Sequence, residues 1–124
     1  MFAPVLRGIK QIFKDIEFLK PRSLTKDEAL RIVDKLPKNV RDYRRRIVES
    51  KKELDKLWKK LTKNSKELEN KVDKRYGKPI YRRQLDDGTE INYREASRSG
   101  GETIDIHTKD VKGIRKIHID KEIP

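Results

Sequence analysis

The sequence predicts an α+β fold in which N-terminal helices pack on one face of a small four-stranded antiparallel sheet. Two observations carry that prediction. Before Gly77, apolar residues recur every three or four positions; after it they alternate with polar ones. The turn-forming Asp86-Asp87-Gly88 between two alternating runs adds a hairpin signal, and hairpins pair strands antiparallel. At 124 residues the chain fits a single compact domain, with a basic helical part at 1–76 and the sheet at 77–124.

The elements follow in order. Phe2, Val5, Leu6, Ile9, Ile12, Phe13, Ile16 and Leu19 make one apolar stripe, and Pro4 is tolerated in a first turn, so residues 3–20 read as an amphipathic helix. Thr25 and Glu28 form a capping box for a short helix that ends before Pro37. Asn39 then caps a long helix whose stripe runs Tyr43, Ile47, Leu54, Leu57, Trp58, Leu61, Leu68 and Val72. Ile47, Leu54, Leu61 and Leu68 lie seven apart, a spacing that permits a coiled-coil seam, but Ser, Asn or Lys often fills a further position of each heptad, so the stripe reads as packing inside the domain. "TKNSKE" could divide this helix, with Asn64 or Ser65 as a new cap.

In the sheet, "PIYRRQL" and "TEINYRE" flank Asp86-Asp87-Gly88. Pairing Leu85 with Thr89 sets Arg83 opposite Ile91 and Tyr81 opposite Tyr93, which places Arg82, Asn92 and Arg94 on the other face. "ETIDIHT" and "IRKIHID" form a second hairpin through "KDVKG". With Ile106 opposite Ile117 and Ile104 opposite Ile119, the isoleucines face the helices, Asp105 meets His118 and His107 meets Lys116.

Composition narrows the function. The absence of cysteine excludes disulfides, thiol catalysis and thiolate metal sites, and the two histidines lack metal-site spacing. No apolar run is long enough to span a bilayer and no secretory signal is legible, so a soluble chain without stable membrane insertion is expected. The net charge of +12 is uneven: residues 1–76 carry 23 Lys/Arg against 12 Asp/Glu, residues 77–124 only 10 against 9. Such an excess points to a polyanionic partner, foremost nucleic acid.

One polar face gathers Arg94, Thr103, Asp105, His107, Lys116 and His118, with Arg82 and Asn92 beside them. A carboxylate raises the basicity of a neighbouring histidine and fixes its tautomer, while cations stabilise a developing phosphorane. That set suits cleavage of RNA without a metal or cofactor, one group deprotonating the 2′-hydroxyl and another protonating the leaving 5′-oxygen. The loop "EASRSGG" offers Ser97, Arg98 and Ser99 as further phosphate contacts. Arg44, Arg45 and Arg46, with Lys59 and Lys60, read as a sequence-independent RNA-binding set.

The block "YREASRSGGETIDIHTKDVKGIRKIHID", behind a basic helical part, resembles the C-terminal toxin modules of bacterial polymorphic and contact-dependent inhibition systems. More narrowly, it is similar to the metal-independent ribonucleases that share the barnase, EndoU, colicin D and RelE fold, over roughly residues 75–120. The resemblance implies endonucleolytic cleavage of RNA, often tRNA, to a 2′,3′-cyclic phosphate. By role it makes His107 and His118 the acid and base, Arg94 and Lys116 the phosphate stabilisers, and Thr103 a positioning hydroxyl. It also implies a secreted or delivered toxin acting in the target-cell cytoplasm, and an acidic cognate immunity protein as partner. One departure from barnase-like members is that no glutamate stands at the centre of the polar face, Glu90 being near a strand end. Two other readings stay open: a non-enzymatic basic nucleic-acid-binding module, and a helix at 2–19 that docks on an anionic membrane.

Overall fold

A computed structural model describes residues 21–38, 42–96 and 101–120. The predicted helix at 3–20 and the loop residues Ser97, Arg98 and Ser99 lie outside them. The described chain runs α1 (Lys26–Val33), β1 (Arg45–Val48), α2 (Lys51–Thr62), β2 (Lys66–Val72), β3 (Pro79–Gln84), β4 (Glu90–Arg94), β5 (Thr103–His107) and β6 (Arg115–Ile119). The six strands form one mixed sheet in the order β1-β6-β5-β4-β3-β2, antiparallel throughout except for the parallel pair β1–β6. The expected four-stranded antiparallel sheet with N-terminal helices is therefore corrected: the sheet is larger and mixed, and the region before Gly77 supplies two of its strands.

The long helix expected from Asn39 to Val72 is three elements. Arg45–Val48 extends as a strand, and Ser50 then starts α2 with its side chain accepting from Glu53 N. The helix stops at Thr62, where Asn64 takes a left-handed φ of 61°. The break thus falls in "TKNSKE", but a strand follows it. Within α2 the stripe behaves as expected: Leu54, Leu57 and Leu61 are buried, each stabilising the fold by about 1.5–3 kcal/mol. Trp58 meets Tyr93 edge-on with ring centroids 5.6 Å apart, and Tyr93 Oη donates to Asp55 at 3.0 Å. Burial first, and then that carboxylate, raise the Tyr93 pKa well above the phenol range, so the hydroxyl stays a donor.

Because β1 and β2 lie at opposite edges of the sheet, α2 carries the chain across one face, and the meander β2 to β6 brings it back to β1. That helix-covered face holds Val48, Ile91, Tyr93, Ile104, Ile106 and Ile117, packed with Leu85 and with Ala29 and Val33 of α1. The capping box of α1 forms as predicted, Glu28 N donating to Thr25 Oγ1 and Thr25 N to Glu28. The hairpin loop holds α1 in place: Asp87 accepts from Lys26 N at 2.7 Å, and Asp86 and Ser23 exchange two hydrogen bonds. Gly88, at φ 92°, closes the loop in a conformation other residues resist.

The β3–β4 register is the predicted one, with Arg83 opposite Ile91 and Tyr81 opposite Tyr93. The β5–β6 register is displaced by two residues from the expected one. Ile104, not Ile106, pairs with Ile117, and Lys116, not His118, stands opposite Asp105. A two-residue slip preserves the faces, so the isoleucines still point to the helices. Among the described residues no helix is long and apolar enough to cross a membrane.

Candidate active site

The face opposite the helices holds a cleft of about 530 Å³. Its floor comes from the centre of the sheet, where β4 and β5 pair Glu90 with His107 and Asn92 with Asp105. Alternation in "EINYR" and "TIDIH" sends these four side chains to one face while Ile91, Tyr93, Ile104 and Ile106 go to the other. The floor is recessed: Asp105 and Asn92 are only 5 % and 6 % exposed.

Two clusters organise this floor. In the first, Glu90 Oε2 lies 3.0 Å from His107 Nε2 and accepts from Asn92 Nδ2 at 3.1 Å, while Arg82 donates to Glu90 Oε1 at 2.7 Å. Asn92 Nδ2 also stands 2.9 Å from His107 Nε2, so that nitrogen meets Glu90 as a donor or Asn92 as an acceptor according to the ring tautomer. Burial pushes the Glu90 pKa up, but the Arg82 and Asn92 hydrogen bonds and the His107 and Arg82 charges outweigh it, and the net shift is downward. Glu90 is thus an anion at neutral pH. In the second cluster Arg94 donates to Asp105 Oδ2 at 2.5 Å and to Asp73 at 3.4 Å. Asn92 Oδ1 and Asp105 Oδ1 are buried acceptors with no hydrogen-bond partner among the described residues.

The rim is cationic. Arg45 enters from the start of β1 and Arg44 from the turn before it, with Asp42 accepting two side-chain hydrogen bonds from Arg44 and lying 3.8 Å from Arg45. Those Arg44 hydrogen bonds, before any other contact, hold the Asp42 carboxyl below its usual range. Lys71, Lys112 and Lys116 also line the cleft and make no ion pair among the described residues. Gly113, at φ 64°, turns the chain into β6, and a Cβ there would sit 3.4 Å from Lys116 Cε, so the lysine stem lies along the glycine. Among the described residues no three His, Asp or Glu side chains converge as metal ligands would.

Of the site residues expected from sequence, His107, Asp105, Arg94, Arg82 and Lys116 come together around this cleft. The two-histidine couple does not. His118 aligns with Thr103, its Nδ1 3.1 Å from Thr103 Oγ1, and the step from Thr103 to His107 along β5 is about 13 Å at ~3.3 Å per residue. Both rings cannot reach one phosphate. Arg46 is corrected as well: it is buried under α1, donating to Asp34 O and Leu36 O and paired with the Asp34 carboxylate at 3.3 Å. Lys59 and Lys60 ride on α2, across the sheet from the cleft. Glu90, set aside as a strand-end residue, is the partner sequence reasoning missed. Registering "EINYR" against "TIDIH" would have placed it beside His107.

Comparison with known proteins gives no matching family, no matching curated protein and no matching solved structure. The toxin-module resemblance therefore rests on the quoted sequence block.

Proposed function

We propose that this protein is an endoribonuclease that cleaves RNA by acid–base transesterification in the cleft. The observation that carries the reading is the contact between Glu90 and His107 Nε2, at 3.0 Å, on the floor of a cleft rimmed by cations. In the tautomer whose Nε2–H donates to Glu90, the other ring nitrogen, Nδ1, is left as the base, which is the logic of an oriented catalytic histidine. His107 Nδ1 takes the proton of a ribose 2′-hydroxyl, the freed oxygen attacks phosphorus, and the 5′-oxygen departs with a proton, leaving a 2′,3′-cyclic phosphate. Lys116 is the cation placed to neutralise the phosphorane and supply that proton. Glu90 stabilises the imidazolium, and Arg82 keeps Glu90 ionised.

Incubation with mixed tRNA in EDTA, followed by sequencing of fragment ends, tests the reading. The expected result is fragments ending in cyclic phosphate, lost in His107→Ala; an intact pool, or equal cleavage by the variant, overturns it. In the toxin setting that the resemblance implies, the antagonist is an acidic immunity protein seated over the rim. A second reading, a non-enzymatic RNA-binding module, is favoured by Lys71, Lys112 and Lys116, which line the cleft without an ion pair among the described residues and can grip phosphates whatever His107 does. In that case His107 is dispensable.

A further inference from the structure

The cleft runs across the strands. Arg45, Lys116, Asp105, Asn92 and Arg82 are successive register partners on β1, β6, β5, β4 and β3, so they form one row perpendicular to the strand axes, and all of them line the cleft. On the remaining strand, β2, the ladder is irregular. Leu68 pairs with Arg82, but Lys71, not Asn70, pairs with Ile80, so β2 carries one residue more than β3 between these two pairs. A regular ladder would set Asn70 against Ile80 and turn Lys71 to the other face. The bulge is braced by Arg82, whose Nη1 donates to Glu69 O at 3.2 Å, and it delivers Lys71 to the cleft. At about 4.8 Å per strand, the β1 and β2 edges of the cleft stand roughly 24 Å apart.

Cations at both ends of so wide a cleft fit an extended polyanion, not a lone phosphate. We infer that an RNA strand lies across the β-strands, from β2 to β1, and that Lys71 and Arg45 hold two of its phosphates on opposite sides of the one at His107 and Lys116. The inference rests on the cleft being an RNA site, and it adds Lys71 as a backbone-binding residue. Arg82 and Arg94 are each paired with a carboxylate, whereas Lys71 makes no ion pair among the described residues. The path is also asymmetric. Lys116 is one strand from Arg45 but four from Lys71, so most of the bound strand extends from the reacting phosphate toward β2. A strand laid lengthwise along β4 and β5 would instead leave Arg45 and Lys71 on its two flanks, too far apart to serve one backbone.

The test measures equilibrium binding of a 2′-O-methyl RNA octamer to the intact protein over a series of salt concentrations; the probe keeps every phosphate and has no 2′-hydroxyl to react. Lys71→Ala and Arg45→Ala should each lower the slope of log affinity against log salt by about 0.7–1, the scale of one phosphate contact. The double variant should lose about twice as much, because the two cations act on different phosphates. Lys52→Ala, which removes the same charge from α2 on the opposite face, should leave the slope unchanged. A folded Lys71→Ala protein with the original slope overturns the inference, and so does a Lys52→Ala protein that loses as much, or a double variant no weaker than the singles. If unmodified RNA is never cleaved but the slopes fall as expected, the catalytic reading fails and the path stands. Cleavage of RNA together with a slope that Lys71→Ala does not move sinks the path and leaves the catalytic reading in place.

Discussion

The two faces of the sheet are made by the same strands, yet they obey different rules. The helix-covered face is filled by branched aliphatics that ask only for volume and contact, and its Arg46 and Arg115 are paired with Asp34, although Arg46 Nε has no hydrogen-bond partner among the described residues. The cleft face buries Asn92 and Asp105 without completing their hydrogen bonds, and binds its arginines to carboxylates beside lysines that have no ion pair among the described residues. Unsatisfied buried acceptors cost about 1–3 kcal/mol each, so the cleft is built at the expense of stability that the other face supplies. Fold and site are thereby separable by mutation, although they alternate residue by residue along β4 and β5.

The largest effect should come from the covered face. Ile106→Ala and Ile117→Ala each leave a cavity among fully buried residues and are expected to lower unfolding free energy by roughly 2–5 kcal/mol in chemical denaturation, with cleavage intact under conditions where the variants stay folded. The mirror experiment is on the other face. His107→Ala and Glu90→Gln should reduce cleavage about a hundredfold with little change in midpoint, whereas His118→Ala, aligned with Thr103 away from the cleft, should leave the rate within a few-fold. A rate for His118→Ala as low as that of His107→Ala would remove the separation of the two histidines.

A finer contrast lies in three consecutive arginines. Arg46→Ala breaks a buried pair and uncovers two carbonyl groups, and is expected to destabilise by about 1–3 kcal/mol without altering the salt dependence of RNA binding. Arg45→Ala should do the reverse, reducing the slope of log affinity against log salt by about one while the thermal midpoint holds.

The smallest effect is on acid stability. Because the Glu90 pKa is lowered in the folded state, its contribution is present above the unfolded carboxylate range, about 4.3, and is lost as pH falls through the folded value. Thermal midpoints measured from pH 7 down to pH 3 should fall more steeply for the parent than for Glu90→Gln. Parallel curves would show that the Glu90 network adds nothing to the fold.

What the sequence made legible follows from where periodicity has one cause. The Thr25 capping box, the Asp86-Asp87-Gly88 hairpin and the two faces of β5 and β6 each depend on neighbouring residues, and each forms as read. The seven-residue spacing of Ile47, Leu54, Leu61 and Leu68 had three causes, since the residues sit on a strand, a helix and a second strand. Four-residue β1 is too short to display a period of two, and β2 is exposed along almost its whole length, so burial left no alternation to find. At the site, parity along each strand gave the correct face. The two-residue displacement of β6 then moved His118 from Asp105 to Thr103, because a loop, not alternation, decides which residues of a face are neighbours.

The parallel pairing of β1 with β6 also sets an order of events. Every contact in the meander from β2 to β6 joins strands adjacent in the chain, while Arg45 must find Lys116 across more than half of the sequence. Loop closure makes such an encounter slow, and it cannot occur until β6 has a sheet to belong to. Arg44 and Arg45, two of the rim cations, and Asp42 beside them arrive with that strand. A nascent or refolding chain therefore acquires its stable core before it acquires a finished mouth to the cleft, and the proposed RNA site is complete only once β1 has docked.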